Sequence, residues 1–310
     1  MTAQLTYPEA IIVGALQGIT ELFPVSSLGH SVLLPALIGG RWAADLNVSS
    51  PESPYLAFIV GLHVATALAL LAFFWRDWLR ILTGFASSLR YRRLETPDER
   101  LAWMIIIGTI PVGVMGLLLE HTFRTVLGRP VPAAIFLTVN GLILFAAERL
   151  RRATAVAKST LADPPPAMAA EPASDPDLAA DQRIARRTIG ETTLIATAQV
   201  AALLPGISRS GVTMAAGLAR GLSYADAARY SFLLATPVIL AAGVLKLPDL
   251  FGPLGAGIGG QVIAGSLASG IAAYFAVRFL MRYFQTRTLT PFAIYCVLAG
   301  LGSLAWLTLQ

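Results

Sequence analysis

The chain has few charged residues, a single cysteine and only three histidines. Of its 310 residues 13% are charged and 55% are hydrophobic, and the mean hydropathy is +0.67. A soluble protein carries about twice that share of charge. The lone Cys296 excludes a disulfide framework within the chain and a cysteine-based metal site. The apolar runs are continuous and of helix length, which indicates an all-α polytopic membrane protein.

Basic residues outnumber acidic residues, 23 against 18, and give the chain a pI near 9.7. They lie in short loops between apolar segments, where Lys and Arg mark the cytoplasmic side of a membrane protein. We therefore expect membrane lipids around these side chains and no nucleic-acid partner. The apolar runs predict six transmembrane helices, at 54–75, 101–119, 131–148, 230–247, 259–280 and 290–309.

Most of the basic residues fall in two loops, 76–100 and 149–187. Such loops are expected to be cytoplasmic, which leaves both termini outside. Residues 153–182 are rich in Ala, Pro and Asp and lack an apolar period, a composition typical of disordered linkers. The chain then divides into a first repeat at 1–150, a partly disordered cytoplasmic linker at 151–187 and a second repeat at 188–310.

The first repeat begins with an apolar stretch, 8–38, that polar residues interrupt in its middle. A carboxylate near the bilayer centre costs about 2.5–3.5 kcal/mol on insertion scales, so Glu21 needs a compensating partner. Pro24 removes a backbone donor and disfavours helix for Phe23, which predicts one half-helix to about Phe23 and another from about Ser27. Broken helices survive at membrane depth only where they are buried or line a wet cavity. We expect a re-entrant helix-loop-helix segment.

A second interrupted stretch, 188–219, opens the second repeat. The runs QGITELFPVSS and QVAALLPGISRS share a Gln, a helical run, a Pro and then serines. Paired, interrupted apolar segments in corresponding halves point to an internal repeat with a binding site at its interface. Each half then holds one re-entrant segment and three spans, and because three is odd the halves have opposite topology. The predicted fold is six transmembrane helices plus two re-entrant helix-loop-helix segments in an inverted repeat.

The polar side chains of the two breaks suit a diphosphate. Gln17 and Glu21 are four residues apart, so they project from one helix face, where they can hold a divalent cation or orient water. Half-helix N-termini favour anions, and Arg suits bidentate phosphate contact. The candidates at the two half-helix starts are Ser26, Ser27 and His30 in the first break and Gly206, Ser208, Arg209, Ser210 and Thr213 in the second.

Two motifs carry a resemblance to a known family. QGITELFPVSSLGH resembles the first signature of the bacitracin-resistance family of undecaprenyl-diphosphate phosphatases, and LLPGISRSG resembles its second, PGxSRSG. The resemblance extends over nearly the whole chain. It implies hydrolysis of undecaprenyl diphosphate to the monophosphate, which recycles the lipid carrier of bacterial cell-wall synthesis and confers bacitracin resistance. It also implies a divalent cation, Mg²⁺ or Ca²⁺, in a multi-pass protein of the bacterial plasma membrane whose active site opens to the outer face. Because the family position that takes Glu or Gln is Gln17 here, Glu21 is the only carboxylate of the motif.

For this reaction we predict four catalytic residues. Arg209 clamps the diphosphate and stabilises charge on the transferred phosphoryl group, while Glu21 binds a cation or acts as a general base. Ser27 is the candidate nucleophile, activated by His30 if their geometry allows. The sequence leaves open both a covalent phosphoserine and direct attack by water. The predicted substrate-binding residues are Gln17, Ser26, Gly206, Ser208, Ser210 and Thr213, and the predicted cation ligands are Glu21 and Gln17.

Other interpretations remain open. Glu21 and Arg209 can form a structural ion pair between the two hairpins, and Ser26 and Ser27 can simply cap a half-helix. Inverted repeats with broken helices are also transporter architecture, so the alternative function is a polyprenyl-phosphate transporter or flippase. We assign His63, alone in its span, to packing or an interhelical hydrogen bond, and Asn140 to structure. The sequence does not decide between a monomer and a homodimer.

Overall fold

The computed structural model describes residues 5–46, 54–122, 126–161, 175–252 and 256–309. Within these ranges the chain is helical, with no β-strand. The helices are α1 Tyr7–Leu22, α2 Ser27–Ile38, α3 Gly40–Asp45, α4 Pro54–Phe73, α5 Trp75–Tyr91, α6 Pro97–Thr122, α7 Pro130–Leu161, α8 Pro176–Ala185, α9 Ile189–Thr197, α10 Arg209–Ala219, α11 Tyr224–Phe251, α12 Gly259–Thr286 and α13 Thr290–Leu309. A 3-10 segment, Ala198–Leu203, follows α9 directly.

Among the described residues, five helices are long and apolar enough to cross a membrane, each in a region where the sequence predicts a span. Their apolar faces look outward, as Leu117 and Leu267 do at 75% and 63% exposure. The sixth predicted span, 54–75, corresponds to α4. Helices α4 and α5 are bent by 84° relative to each other, and they are long and apolar enough to cross a membrane only when they are combined. The five are Pro97–Leu119, Pro130–Ala153, Tyr224–Lys246, Gly259–Thr286 and Thr290–Leu309. The chain is thus a multi-pass, all-helical membrane protein.

Residues 75–91 form helix α5, where the sequence analysis places the start of a basic loop. The helix buries Ile81, Gly84 and Ser88, three residues spaced on one helical face, while Arg76 and Arg90 are exposed. A Cβ on Gly84 would lie 2.8 Å from the Asp98 carbonyl carbon, so α5 packs closely against the start of α6. This basic segment is an amphipathic helix, so the prediction of a loop is wrong for residues 76–91.

Two parts of the region 151–187, for which the sequence predicts a partly disordered linker, are helical. Helix α7 continues to Leu161, and α8 forms from Pro176 to Ala185. The Asp175 side chain caps α8 by accepting from two backbone N–H groups, and Ala180 and Ile184, four residues apart, are buried. Short length and charge conceal this helix in the sequence. Residues 162–174 lie outside the described ranges.

The two halves of the chain interlock, because helices of the first half pack on helices of the second. Helix α1 lies along α12, α7 along α13, and α4 between α11 and α12. A Cβ on Gly14 or on Gly18 would lie 2.2 Å from a backbone oxygen of α12, that of Gly265 or Ser269. Close backbone approach through small residues is the usual packing of membrane helices. Helix α7 also contacts both α2 and α10, so it brings the first break next to the second.

The two breaks have the same local construction. The first lies between α1 and α2 and the second between the 3-10 segment and α10, and in each a serine caps the second helix. The Ser26 hydroxyl accepts from the Gly29 N–H at 3.2 Å, and the Ser208 hydroxyl accepts from the Gly211 N–H at 3.2 Å. The first break lies where the sequence predicts it, since α1 ends at Leu22 and α2 begins at Ser27.

Candidate active site

The Glu21 carboxylate stands at the centre of the contacts between the two breaks. Its Oε1 accepts from Arg209 Nη2, which forms an ion pair across the two halves. Its Oε2 accepts from the Ser27 hydroxyl at 2.5 Å and from Gln17 Nε2 at 2.9 Å, and lies 3.6 Å from His63 Nε2. The Glu21 side chain is 3% exposed and that of Arg209 16%. Arg209 thus compensates the buried carboxylate, the partner that the sequence analysis requires.

The geometry pairs Ser27 with Glu21 and not with His30. His30 Nδ1 lies 2.6 Å from the Ser26 carbonyl oxygen, which can only accept, so Nδ1 carries the proton. Its Nε2 lies 2.6 Å from the Tyr295 hydroxyl, and the two rings are stacked. Both ring nitrogens are engaged away from Ser27, and the Ser27 hydroxyl donates to the Glu21 carboxylate instead.

The predicted binding serines are buried and join the two breaks to each other. The Ser26 hydroxyl accepts a second bond from the Gly206 N–H at 3.2 Å. The hydroxyls of Ser208 and Ser210 lie 3.1 Å apart and donate to the Phe23 carbonyl oxygen at 3.3 and 3.2 Å. These contacts give the unwound backbone hydrogen bonds beyond the few that it forms with itself. In this structure the three serines position the breaks rather than line an open surface.

Asn140 of α7 forms a hydrogen bond with each of the two breaks. Its Nδ2 donates to the Pro24 carbonyl oxygen at 3.0 Å, and its Oδ1 accepts from the Ser208 N–H at 3.0 Å. The side chain is fully buried, and Nδ2 also lies 3.3 Å from the Cys296 sulfur. The sequence analysis assigns Asn140 to structure without naming its partners. The available signal is a lone amide in an otherwise apolar span, because such groups bond across helices.

Gly206 and Thr213 affect the conformation and hydrogen bonding of the backbone at the second break. Gly206 has φ +112°, and a Cβ there would lie 2.4 Å from the Ala133 carbonyl oxygen of α7. Only glycine allows this conformation and this approach. The Thr213 hydroxyl donates to the Arg209 carbonyl oxygen at 2.8 Å, within its own helix. Neither Gly206 nor the Thr213 hydroxyl therefore joins the group around Glu21.

The groups that remain partly accessible define what the site can bind. Helices α2 and α10 begin beside each other, and their first N–H groups and dipoles favour an anion. Glu21 and Gln17 are buried beneath this surface, at 7% and 2% exposure. The partly accessible residues are Ser27, His30, His63 and Arg209. A phosphate group at this point meets one guanidinium, one hydroxyl and two helix N-termini, so the arrangement suits phosphoryl transfer.

His63, predicted from the sequence to serve packing or an interhelical hydrogen bond, contacts Gln17 of another helix and lies at the site. Helix α4 brings its Nε2 to 3.5 Å from Gln17 Nε2 and 3.6 Å from Glu21 Oε2. Only one signal in the sequence could have found it: an ionisable residue inside an apolar span is a functional candidate by default.

The described residues contain no group of three or more His, Cys, Asp or Glu side chains that could hold a metal. The predicted ligands Glu21 and Gln17 do lie together, with the Ser27 hydroxyl on the same carboxylate oxygen. Cations such as Mg²⁺ are commonly held by one or two carboxylates plus substrate phosphates. Both oxygens of Glu21 already accept from donors, Arg209 on Oε1 and Ser27 and Gln17 on Oε2, so a cation here requires some of these donors to move.

Comparison with known proteins gives one family over nearly the whole chain. The model of that family, described as bacitracin resistance protein BacA, matches residues 10–302. A Mycolicibacterium paratuberculosis protein and a Mycobacterium avium protein, both named undecaprenyl-diphosphatase, are each 67% identical to this chain over 310 residues, covering 100% of both chains. Undecaprenyl-diphosphatase 1 of Frankia casuarinae is 52% identical, covering 96% of this chain and 97% of its own length. The chain described here belongs to the bacitracin resistance protein BacA family.

Proposed function

We propose that this protein hydrolyses undecaprenyl diphosphate to undecaprenyl phosphate and inorganic phosphate. It is an integral membrane enzyme, and its product is the lipid carrier of peptidoglycan synthesis, so its activity confers bacitracin resistance. The names of relatives that are 67% identical over the full chain support this reaction. The observation in the structure that carries it is the Glu21 carboxylate between the Ser27 hydroxyl and the Arg209 guanidinium, at the start of two half-helices.

The diphosphate binds where α2 and α10 begin. Arg209 leaves or shares its contact with Glu21 to meet the terminal phosphate, because a phosphate carries more charge than one carboxylate oxygen. The backbone N–H groups at Ser27 and Arg209 then face the anion. The apolar polyprenyl chain extends along the outer, lipid-facing helices. In this proposal the buried Ser26, Ser208 and Ser210 act through the backbone they hold.

The reaction has two routes, and the contact between Ser27 and Glu21 favours the covalent one. In that route Glu21 takes the Ser27 proton, Oγ attacks the terminal phosphorus, and the bond from phosphorus to the bridging oxygen breaks. Undecaprenyl phosphate leaves, and water then hydrolyses the phosphoserine to release phosphate and free Ser27. In the direct route Glu21 takes a proton from water, and Ser27 only orients it. In both, Arg209 stabilises the charge on the phosphoryl oxygens.

His30 and a divalent cation complete the proposal. His30 is partly accessible at the start of α2, with its ring held by the Ser26 carbonyl and Tyr295, so contact with a phosphate oxygen requires Nε2 to leave Tyr295 and carry a proton. A cation held by Glu21 and Gln17, Mg²⁺ or Ca²⁺ by analogy with the family, supplies positive charge for a substrate oxygen when bound. Gln17 has to offer its amide oxygen for that role.

We further infer the arrangement in the bacterial plasma membrane. The α1–α2 and α9–α10 segments are re-entrant hairpins, and they belong to inverted repeats with three spans each. The matching serine caps and the interlocked halves support this arrangement. Basic residues at 76–100 and 149–187 put both termini outside. The active site then opens to the outer face, where the family's substrate is released.

The test is phosphate release from a long-chain polyprenyl diphosphate by the purified full-length chain in detergent. We expect release by the wild type, its loss in Arg209→Ala, and its strong reduction by a chelator. Rapid quenching should trap phosphate on Ser27 if the covalent route operates, and an active enzyme without trapped phosphate would use the direct route. A folded wild-type protein that releases no phosphate, but moves polyprenyl phosphate across vesicles, would overturn the enzyme in favour of the transporter.

A further inference from the structure

The last turns of α12 carry a groove that the candidate active site does not include. It measures about 440 Å³, and its lining includes Arg278, Arg282 and Arg287. All three side chains are exposed, and within the described part of the chain none of them forms an ion pair or a side-chain hydrogen bond. Other arginines, such as Arg183 and Arg187, have carboxylate partners. The groove therefore holds three positive charges that no described carboxylate pairs with.

The level of these arginines along α12 matches the boundary of a bilayer. Helix α12 is one of the five described helices that are long and apolar enough to cross a membrane. At 1.5 Å per residue, Arg278 and Arg282 lie about 29 and 35 Å from its start at Gly259, and the hydrocarbon core of a bilayer is about 30 Å thick. The two guanidiniums therefore lie at the level of lipid phosphates, where the helix leaves the hydrocarbon.

An apolar stripe leads from the groove along the lipid-facing surface of α12. Leu267, Ile271, Phe275 and Phe279 follow one another at intervals of four residues, so they share one helical face, and each is at least 50% exposed. Phe275 and Phe279 also line the groove. A ligand with a phosphate at the guanidiniums and hydrocarbon chains along this stripe makes both contacts at once.

The charge of the groove selects among lipid headgroups. Arg278 and Arg282 are one helical turn apart, so both guanidiniums can hold oxygens of the same phosphate. A zwitterionic headgroup brings an ammonium group to a groove that already holds three positive charges, whereas an anionic headgroup brings none. Arginines at this level can also simply extend toward water and orient the protein, which requires no bound headgroup.

We propose that this groove of α12 binds the headgroup of one anionic phospholipid, such as phosphatidylglycerol, from the leaflet in which the helix ends. The phosphate contacts Arg278 and Arg282, and the acyl chains lie along the apolar stripe. The bound lipid then packs next to the first break, because Phe279 stacks on Phe23 with the ring centroids 5.9 Å apart. This binding does not depend on the proposed reaction.

The test is native mass spectrometry of the full-length protein, incubated in detergent with equal amounts of phosphatidylglycerol and phosphatidylcholine that carry the same acyl chains. We expect one retained phosphatidylglycerol per chain, preferred over phosphatidylcholine at least about tenfold, because each arginine near a membrane surface adds attraction to an anionic lipid. Arg278→Gln combined with Arg282→Gln should lower the preference to about twofold or less. Arg278→Lys combined with Arg282→Lys keeps the charges but loses the bidentate contacts, so its preference should lie between these two values.

The matched control removes two positive charges elsewhere, in Arg90→Gln combined with Arg186→Gln. Both arginines are exposed and lie outside the groove, so this variant should keep the wild-type preference. Because all the substituted side chains are at the surface, every variant should keep the wild-type thermal midpoint in lipid-free detergent, which excludes unfolding as the cause of a lost lipid.

Four results would overturn the proposal. Equal retention of the two phospholipids by the wild type would mean that the arginines only orient the protein. A control that loses the preference as far as the groove variant does would mean that net charge, and not the groove, selects the lipid. Displacement of phosphatidylglycerol by an equal amount of polyprenyl phosphate would assign the groove to an isoprenoid lipid. Displacement by inorganic phosphate would assign it to a free anion.

Discussion

Two arginines of this protein are engaged by carboxylates in very different settings. Arg209, at the breaks, contacts one carboxylate, Glu21, and is 16% exposed. Arg229, near the start of α11, is 1% exposed and is held by Asp77 at 2.8 Å and by both oxygens of Asp181 at 2.7 and 2.8 Å. Arg80 donates to the same Asp181 at 2.9 Å. We call this second group, Asp77, Arg80, Asp177, Asp181 and Arg229, the α8 cluster.

The two arginines differ in whether the guanidinium can still bind a ligand. In the α8 cluster Asp181 is 1% exposed and is bound by two guanidiniums, so each arginine shares its carboxylate, although the buried Nη1 of Arg80 and of Arg229 lacks a hydrogen-bond partner among the described residues. At the breaks, Arg209 has one partner and faces the surface where two helices begin. A buried charge with several fixed partners stabilises a fold, whereas one with a single partner and an open side can exchange that partner for a substrate. The following substitutions test this contrast.

The largest expected effect is the loss of activity in Arg209→Ala. Removing a guanidinium that stabilises the transferred phosphoryl group typically lowers the rate about 10³–10⁵-fold. The thermal unfolding midpoint should fall less than in the Arg229 variant below, because Glu21 keeps the bonds from Ser27 and Gln17. The measurement is kcat/KM for phosphate release together with the midpoint in detergent. Arg220→Ala, at the other end of α10, is the control and should leave kcat/KM within a few-fold. An active Arg209→Ala enzyme would make the ion pair with Glu21 structural.

The next effect is on stability, in Arg229→Ala. This change leaves Asp181 and Asp77 buried with only Arg80 between them, and breaking a buried ion pair costs about 3–5 kcal/mol. We expect a large fall in the thermal midpoint, while the kcat of the protein that remains folded stays near the wild-type value. Arg229→Lys keeps the charge but loses the bidentate contact with Asp181. Its thermal midpoint should therefore lie between those of the wild type and of Arg229→Ala. A stable, inactive Arg229→Ala protein would reverse the contrast between the two arginines.

Asn140→Leu tests whether the two breaks depend on their hydrogen bonds with the Asn140 side chain. The change leaves the Pro24 carbonyl and the Ser208 N–H buried without their partner, at a cost of about 2–4 kcal/mol for the two groups. Because Ser208 caps α10 next to Arg209, we expect both a lower midpoint and a lower kcat, with a smaller change in KM. Asn140→Asp, which keeps the acceptor for Ser208, should retain more activity. Wild-type stability in Asn140→Leu would mean that water replaces the amide.

The first break could be predicted from the sequence because its signals are local. Pro24 ends one helix, serines begin the next, and Glu21 demands a cationic partner whatever the fold, so the half-helix boundaries and the engagement of Glu21 follow from residue chemistry. The five strongest spans likewise follow from apolar length. Family membership follows from two motifs in the right order, and the match over residues 10–302 confirms it.

The elements that the sequence did not give are those set by tertiary contact. Helix α5 carries arginines among its apolar residues and helix α8 is short and charged, and both are stabilised by packing and by the α8 cluster. The pairing of His30 with Tyr295 depends on where α13 lies, 265 residues along the chain, and the pairing of Glu21 with Arg209 joins residues 188 apart. His63 comes to Glu21 from another helix in the same way. No pattern within one segment specifies such partners.

The smallest expected effect belongs to Arg183→Ala, the peripheral arginine of α8. Arg183 holds both oxygens of Asp226 at 2.7 and 3.0 Å, as Arg229 holds those of Asp181, but its own side chain is 51% exposed. Asp226 lies in the first turn of α11, where the helix dipole stabilises a carboxylate after the guanidinium is gone. We therefore expect the free energy of unfolding to fall by no more than about 1 kcal/mol, and kcat to stay unchanged. The midpoint in detergent, measured beside Arg229→Ala, checks this. If Arg183→Ala and Arg229→Ala lower the midpoint equally, the bidentate geometry, and not the burial of the guanidinium, sets the loss of stability. The contrast between Arg209 and Arg229 would then need a different cause.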